Sequence, residues 1–558
     1  MMATISETFG TALHHYQAGN LPLAEALFRQ VLAIEPAHAD ALHILGLIGL
    51  ARNQNEAAAS FIRRAIEVRP DDAMLHCNLG NALQAGGRLD EAITCYQRAL
   101  GLQPGMYQAH HNLGQAYQSQ YELDQAMACY RRALELKPDL AETWLCLGNV
   151  GFVQRKFAEA VDCYQRTLEL EPSSVQAYAN LAAVFTAEGK LAEAIASCEH
   201  AISIRPDFFV AYKNLGDALL GLGRVEQAAE SYHRALKLKA EYADAHIGLA
   251  ELQLLQGDFV SGWREYEWRW RLRQLAPRHF RQPQWDGGSL KGKSILIHAE
   301  QGLGDTLQFI RYLPLVKDQG ATVIMEVQQP LLRLLANAQG IDWLVGEGDE
   351  LPLFDVYAPL LSLPRIFGTT LESIPSRIPY LFAERVLVER WGEKLQHVSG
   401  FRVGVNWRGR PGGGAHRQRD IPIDCVASLA QVPGVRLINL QTGDLKKELA
   451  AHCDSKSVVD LGDHIDQESG AFGDTAAIMM NLNLVISSDT SIPHLGGALG
   501  VPVWLATAFV PNWRWLQNRT DCPWYPTMRL FRQRASGDWA GVFAIIRAEL
   551  DQIIRATQ

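Results

Sequence analysis

Residues 107–140 read YQAHHNLGQAYQSQYELDQAMACYRRALELKPDL, one unit of a pattern that recurs every 34 residues. The unit carries Leu113, Gly114, Tyr117, Ala126, Tyr130, Ala133 and Pro138. Outward from it, Pro stands at 36, 70, 104, 138, 172 and 206, with Ala240 at the next register position. Ala recurs at 24, 58, 92, 126, 160, 194 and 228, and Gly at 46, 80, 114, 148 and 216, with Ala182 in the gap. Each feature has a packing cause. Small residues let two helices approach closely while Tyr and Leu fill the space between units. Pro closes a unit because it is poorly tolerated inside a helix. No unit can bury its apolar face alone, so seven full units and a degenerate eighth, about 241–274, are expected to stack as an α-solenoid.

The period and its residues resemble the tetratricopeptide repeat. One periodic position is not needed for packing. Asn78, Asn112, Asn180 and Asn214 each precede a Leu in the first helix of a unit, with Ile44 and Cys146 interrupting the series. An amide offers both donor and acceptor, so a row of them can hold an extended peptide backbone. The row resembles the asparagine ladder of the O-GlcNAc transferase repeat domain, which implies a bound acceptor polypeptide. The other reading is a consensus Asn that bonds a neighbouring helix.

The 558 residues carry 52 Lys+Arg against 61 Asp+Glu, a net charge of −9. That balance argues against a nucleic-acid footprint, which needs a basic face. No apolar run reaches the length of a membrane span, and the N-terminus lacks the pattern of a secretory signal. The nine Cys show no zinc spacing; Cys95, Cys129 and Cys163 follow the repeat instead. A reducing, cytoplasmic location is the expectation.

Past residue 256 the period fades into GDFVSGWREYEWRWRLR, whose Trp263, Tyr266, Trp268 and Trp270 are expected to cap the solenoid and pack it on the next domain. From 294 onward short apolar runs alternate with helical stretches, the signature of parallel sheets. Strands are expected at 294–298, 321–327, 341–345 and 354–360, then at 401–407, 435–441, 482–488 and 501–506. The division is therefore 1–274 for the repeats, 275–390 for a first Rossmann-like domain and 391–558 for a second. Ligands bind such α/β sheets at the strand C-terminal ends. The two-sheet arrangement resembles the GT-B glycosyltransferases.

Three motifs fall at those ends. The first strand runs into HAEQGLGDTLQFIRYLP, where Gly302 and Gly304 permit a tight turn and Asp305 opens a helix. The string resembles glycosyltransferase family 9, the ADP-heptose:lipopolysaccharide heptosyltransferases, and the resemblance implies Asp305 as catalytic base on the acceptor side. In LVISSDTSIPHLGGALGVPVWLA a strand meets a helix start whose N–H groups suit a diphosphate. It resembles the family's donor signature, which implies donor contacts by Asp489, Thr490, Ser491 and His494, with Pro493 a departure. In VNWRGRPGGGAHRQRDIP, Arg408, Arg410, Arg417 and Arg419 surround a Gly-rich loop able to close over phosphate. Gln441 is a further candidate for the nucleoside.

Together these readings lead to an inverting protein O-glycosyltransferase that moves a sugar from a nucleotide-sugar to Ser or Thr of a polypeptide held by the repeats. No D-x-D occurs, so no metal and no cofactor is expected. The resemblance to repeat-fused bacterial transferases implies flagellin or another surface protein as partner. The alternatives are a transferase acting on lipopolysaccharide or another surface glycan, and a repeat scaffold whose transferase module is inactive.

Overall fold

The computed structural model describes residues 4–272, 278, 280–409, 419–441, 446–454, 457–459, 461–462, 464–467 and 470–557. The chain forms two compact units, Met1–Phe208 and Phe209–Gln558.

The first unit is helical throughout, from the pair Ile5–Gln17 and Leu21–Ile34 to the pair Val175–Glu188 and Leu191–Ile204. The repeated Gly has a steric cause. A Cβ on Gly80 would lie 2.5 Å from Cε1 of the Tyr96 ring, and one on Gly114 would lie 2.7 Å from that of Tyr130. The Tyr of the second helix therefore rests where the first helix has no side chain. The turn inside each unit needs a left-handed residue, filled by Gly19, Gly87 and Gly189 but by Asn53, Tyr121 and Arg155 in the other units.

The second unit begins with the last repeats: Phe209–Gly221 pairs with Val225–Leu238, and Ala243–Gln256 with the short helix Phe259–Tyr266. The degenerate eighth unit is thus present, ending in a 3-10 turn at Glu267–Arg271. Its aromatics pack as expected. Trp263 is buried edge-on to Phe309 and Trp513, and Trp268 stacks on His246 at 3.8 Å. Beneath it Arg269 is buried between Glu267 and Glu300, with Ser362 accepting at 2.8 Å.

Two parallel sheets complete the unit. The first holds β1 (Ser294–His298), β2 (Thr322–Val327), β3 (Trp343–Gly346) and β4 (Val356–Pro359) in the order β3-β2-β1-β4. The second holds β5 (Phe401–Asn406), β6 (Val435–Asn439), β7 (Val458–Val459), β8 (Leu484–Ser487), β9 (Val503–Thr507) and β10 (Met528–Arg532) in the order β10-β9-β8-β5-β6-β7. The expected strands form within a few residues, and β7 and β10 extend the second sheet beyond expectation. The strand order reverses direction at β1 and at β5, the places where such sheets open a crevice. This is an α/β region with two parallel sheets. All nine Cys are free thiols. No helix among the described residues is long and apolar enough to cross a membrane.

Candidate functional site

The site grows from the helix starts that come after β1 and β8. Asp305 lies in the first turn of the helix Leu303–Phe309, where its Oδ2 accepts from the Gly302 N–H at 2.9 Å. Its Oδ1 accepts from Arg514 Nη2. Gly304 is closely covered. A Cβ there would meet His494 Cδ2 at 3.1 Å and Ser491 Cα at 3.5 Å. That contact joins the first helix of one sheet to the helix Ser491–Leu499 of the other. Gly302 has an ordinary extended backbone, and a Cβ there would lie 3.2 Å from Asp305 Oδ2.

Arg514, on the 3-10 turn Trp513–Trp515, is the hub that the sequence motifs leave unnamed. Besides Asp305 it donates from Nε to Gln308 Oε1 at 2.8 Å and from Nη1 to Asn512 Oδ1 at 2.9 Å. Its guanidinium stacks on Trp513 at 4.1 Å. The arginine pairs with a residue 209 positions away, so no local signal marks it.

The residues expected to contact a donor gather around the helix start after β8. Thr490 is its N-cap, accepting from the Ile492 N–H at 3.3 Å and donating to Asn406 Oδ1 at 3.0 Å. His494 is buried, its Nδ1 3.0 Å from the Tyr525 hydroxyl and its ring stacked on Trp515 at 5.1 Å. Burial first, then the charges of Arg514 and Arg311, push its pKa well below the ordinary value, so the ring is neutral. Burial raises the Asp489 carboxyl above its ordinary value, opposed by the Trp515 indole and by Arg419 and Arg514. The indole N–H is near enough to favour the anion but makes no hydrogen bond of good geometry.

Gln441 has a different place from the nucleoside contact expected of it. Its Oε1 accepts from Asn406 Nδ2 at 3.1 Å, the Trp407 N–H at 3.3 Å and the Arg408 N–H at 3.2 Å. Its Nε2 donates to the Arg408 carbonyl at 3.1 Å. Gln441 is a clasp on the start of the loop after β5. Arg408 turns to Glu448 at 3.4 Å. Arg419 lies against Gly409, where a Cβ would sit 2.8 Å from its Nη2. Arg410 and Arg417 lie outside the described residues.

Several buried polar atoms around these helix starts have no partner among the described residues: Gln308 Nε2, Ser488 Oγ, Thr507 Oγ1, Trp515 Nε1 and Arg419 Nε. Ser488 and Thr507 stand at the C-terminal ends of β8 and β9. Buried polar groups are normally satisfied, and these atoms are left without a partner where the helix starts and strand ends meet.

Among the repeats, the Asn series bonds between neighbouring helices. Asn112 Nδ2 donates to Asn81 Oδ1, and Asn180 Nδ2 to Asn149 Oδ1, each at 2.7 Å. Asn78 Nδ2 lies 2.7 Å from His43 Nε2. Asn214 is buried. One amide N–H of each of Asn112 and Asn180 is therefore engaged between repeats, and Asn78 Oδ1 also accepts from Asn81 Nδ2 at 3.5 Å. In the first sheet, His298 at the end of β1 is enclosed by Trp270, Phe280 and Tyr357, and burial pushes its pKa down to about 4. No group of three or more His, Cys, Asp or Glu among the described residues is arranged to hold a metal ion.

The tetratricopeptide repeat family matches residues 9–73, 77–141, 147–207 and 213–261. Protein FlbA of Caulobacter vibrioides (strain ATCC 19089 / CIP 103742 / CB 15) is 26% identical over 320 residues, covering 52% of this chain and 52% of that protein. The chain thus spans about half the length of the curated relative it matches. Among solved structures, MamA is 26% identical over 31% of this chain and 95% of its own, with a TM-score of 0.29. YrrB, described as a tetratricopeptide protein with an unusual peptide-binding site, is 23% identical over 33% of this chain and 95% of its own, with a TM-score of 0.30. Residues 9–261 are a tetratricopeptide-repeat array, continued in the same chain by two parallel sheets.

Proposed function

We propose that the chain is a protein glycosyltransferase in which the repeats recruit a polypeptide and the two sheets transfer a sugar from a nucleotide-sugar. The observation that carries this reading is the junction at Gly304. It sets the Asp305–Arg514 pair against the N-terminus of the Ser491–Leu499 helix, among unpartnered polar atoms at the ends of β8 and β9. The positive end of the helix, the Ser491 N–H and nearby arginines suit a diphosphate whose charge grows as it leaves. Thr490 is tethered to Asn406 and Asn406 to Gln441, so the donor side is held rigid before a ligand arrives. Asp305 fixes Arg514, and through it the bonds to Gln308 and Asn512.

The acceptor hydroxyl attacks the anomeric carbon from the face opposite the diphosphate, which inverts the configuration. The test has two parts. Calorimetry with nucleoside diphosphates should show binding that Thr490→Val and Arg419→Ala weaken. Intact-mass spectrometry of co-expressed surface proteins such as flagellin should then show the mass of one sugar added only with the active chain. No diphosphate binding and no added mass would leave the repeats as a protein-binding scaffold.

A further inference from the structure

The repeat register places a second series, polar except at Ala183, three residues after the Asn row: Asn81, Gln115, Asn149, Ala183, Asp217 and Glu251. At three of these positions helix pairing ties the residue to the Tyr found 15 residues later. Tyr96 donates to Asn81 at 2.8 Å, Tyr164 to Asn149 at 2.9 Å and Tyr232 to Asp217 at 2.9 Å. Tyr130 turns to Gln118 at 2.7 Å instead of Gln115, and the last tyrosine in register, Tyr266, departs as well. Its hydroxyl pairs with the Gln301 amide, 3.1 Å from Nε2, in the loop that leads to Gly302 and Asp305. Glu251 thereby lacks the partner that Asn81, Asn149 and Asp217 have, and no hydrogen bond or ion pair from the described residues holds its carboxylate.

Glu251 lies on the helix Ala243–Gln256, beside the turn that carries Arg514. Gln517 N–H donates to the Leu255 carbonyl at 3.1 Å, and Leu254 and Leu255 share a core with Trp513 and Trp515. The charge of Arg514 reaches Glu251, and Tyr266 feels the charges of both Asp305 and Glu251. Asp305, by contrast, has each oxygen already engaged, one by Gly302 N–H and one by Arg514.

We propose that Glu251, contributed by the last repeat, is the carboxylate that takes the proton from the acceptor hydroxyl. The inference rests on the transferase reading above and moves the base from Asp305 to the repeat side of the site. As the acceptor oxygen bonds to the anomeric carbon, its proton passes to Glu251. The bond from that carbon to the diphosphate oxygen breaks, and its electron pair leaves with the nucleoside diphosphate. Asp305 then serves to hold Arg514.

The surroundings suit the role. Glu251 is exposed, so a substrate can reach it. Crowding, then the negative charge of Asp217, raises its pKa to about 7, against the charges of Arg514 and Lys213. A base with a pKa near neutrality is efficient at neutral pH.

The experiment uses the full chain and a panel of nucleotide-sugars, monitoring nucleoside diphosphate release with water as acceptor. For the wild type, kcat should rise with pH through about 7 as Glu251 ionises. Glu251→Gln should lower kcat on the order of 100-fold, abolish that rise and leave the calorimetric Kd for nucleoside diphosphate unchanged. Asp217→Asn should keep the rise but move it to lower pH, because a neighbouring negative charge is removed. Glu251→Gln turning over within twofold of the wild type, with the rise intact, overturns the inference and leaves the transferase reading standing. A wild type that consumes none of the donors overturns both.

Discussion

Removing Arg514 probes the centre of the site. Arg514→Met keeps most of the aliphatic volume on Trp513 and deletes three donated bonds, to Asp305, Gln308 and Asn512. The side chains of Arg514 and Asp305 are 9% and 17% exposed, so little water reaches the carboxylate left behind. A bond to a charged group contributes about 1.5–3 kcal/mol and a neutral one about 1 kcal/mol. Breaking a buried pair by removing one partner costs about 3–5 kcal/mol, because an uncompensated charge remains. Asp305 keeps the Gly302 N–H, and Asn512 is only partly buried, so we expect the lower end, about 3 kcal/mol. Asp305→Asn should be destabilising for the converse reason, and the double variant should cost less than the sum, with a coupling of at least about 1.5 kcal/mol. The assay is urea unfolding read by the fluorescence of the buried Trp513 and Trp515, comparing the transition of the second unit alone. A single variant within about 0.5 kcal/mol of wild type, or additive effects in the double variant, would refute the claim that this pair organises the site.

The same structure sets four further outcomes. Gly80→Ala puts a methyl 2.5 Å from the Tyr96 ring and should cost about 1–3 kcal/mol in the first unit, read by thermal unfolding. Tyr121→Gly relieves a left-handed backbone at φ 65° and should raise stability by about 1 kcal/mol, since other units place Gly there. Arg419→Ala should weaken nucleoside diphosphate binding about tenfold with little change in melting temperature, because its Nε has no partner to lose among the described residues. His298 binds its proton more weakly when folded, at about 4, than when unfolded, near 6.5. The unfolded chain therefore takes up more protons between those values, so stability falls as pH drops from about 6.5 towards 4. His298→Gln should flatten that part of a stability-versus-pH curve.

The repeats are legible in the sequence because their constraints are local and recur. A glycine at 80 and a tyrosine at 96 sit in one helix pair, and the same steric demand writes the same residues 34 positions on. The left-handed turn is as regular, yet Asn53, Tyr121 and Arg155 conceal it by meeting the same backbone need without glycine. In the sheets, buried apolar runs disclose β1 through β6, β8 and β9, whereas β10 is hidden because Arg529 and Arg532 interrupt its apolar residues. The site is the hardest part to read, since its decisive pairs are made by topology. Gln441 has the composition of a ligand contact and is bound to a loop, while Arg514 has that of a surface residue and holds Asp305. The register of the repeats does carry one site signal. Counting 34 from Tyr232 reaches Tyr266, and counting 34 from Asp217 reaches Glu251. Only the fold shows that Tyr266 of this last pair bonds Gln301 instead, and that Glu251 lies where the charge of the arginine that holds Asp305 reaches it.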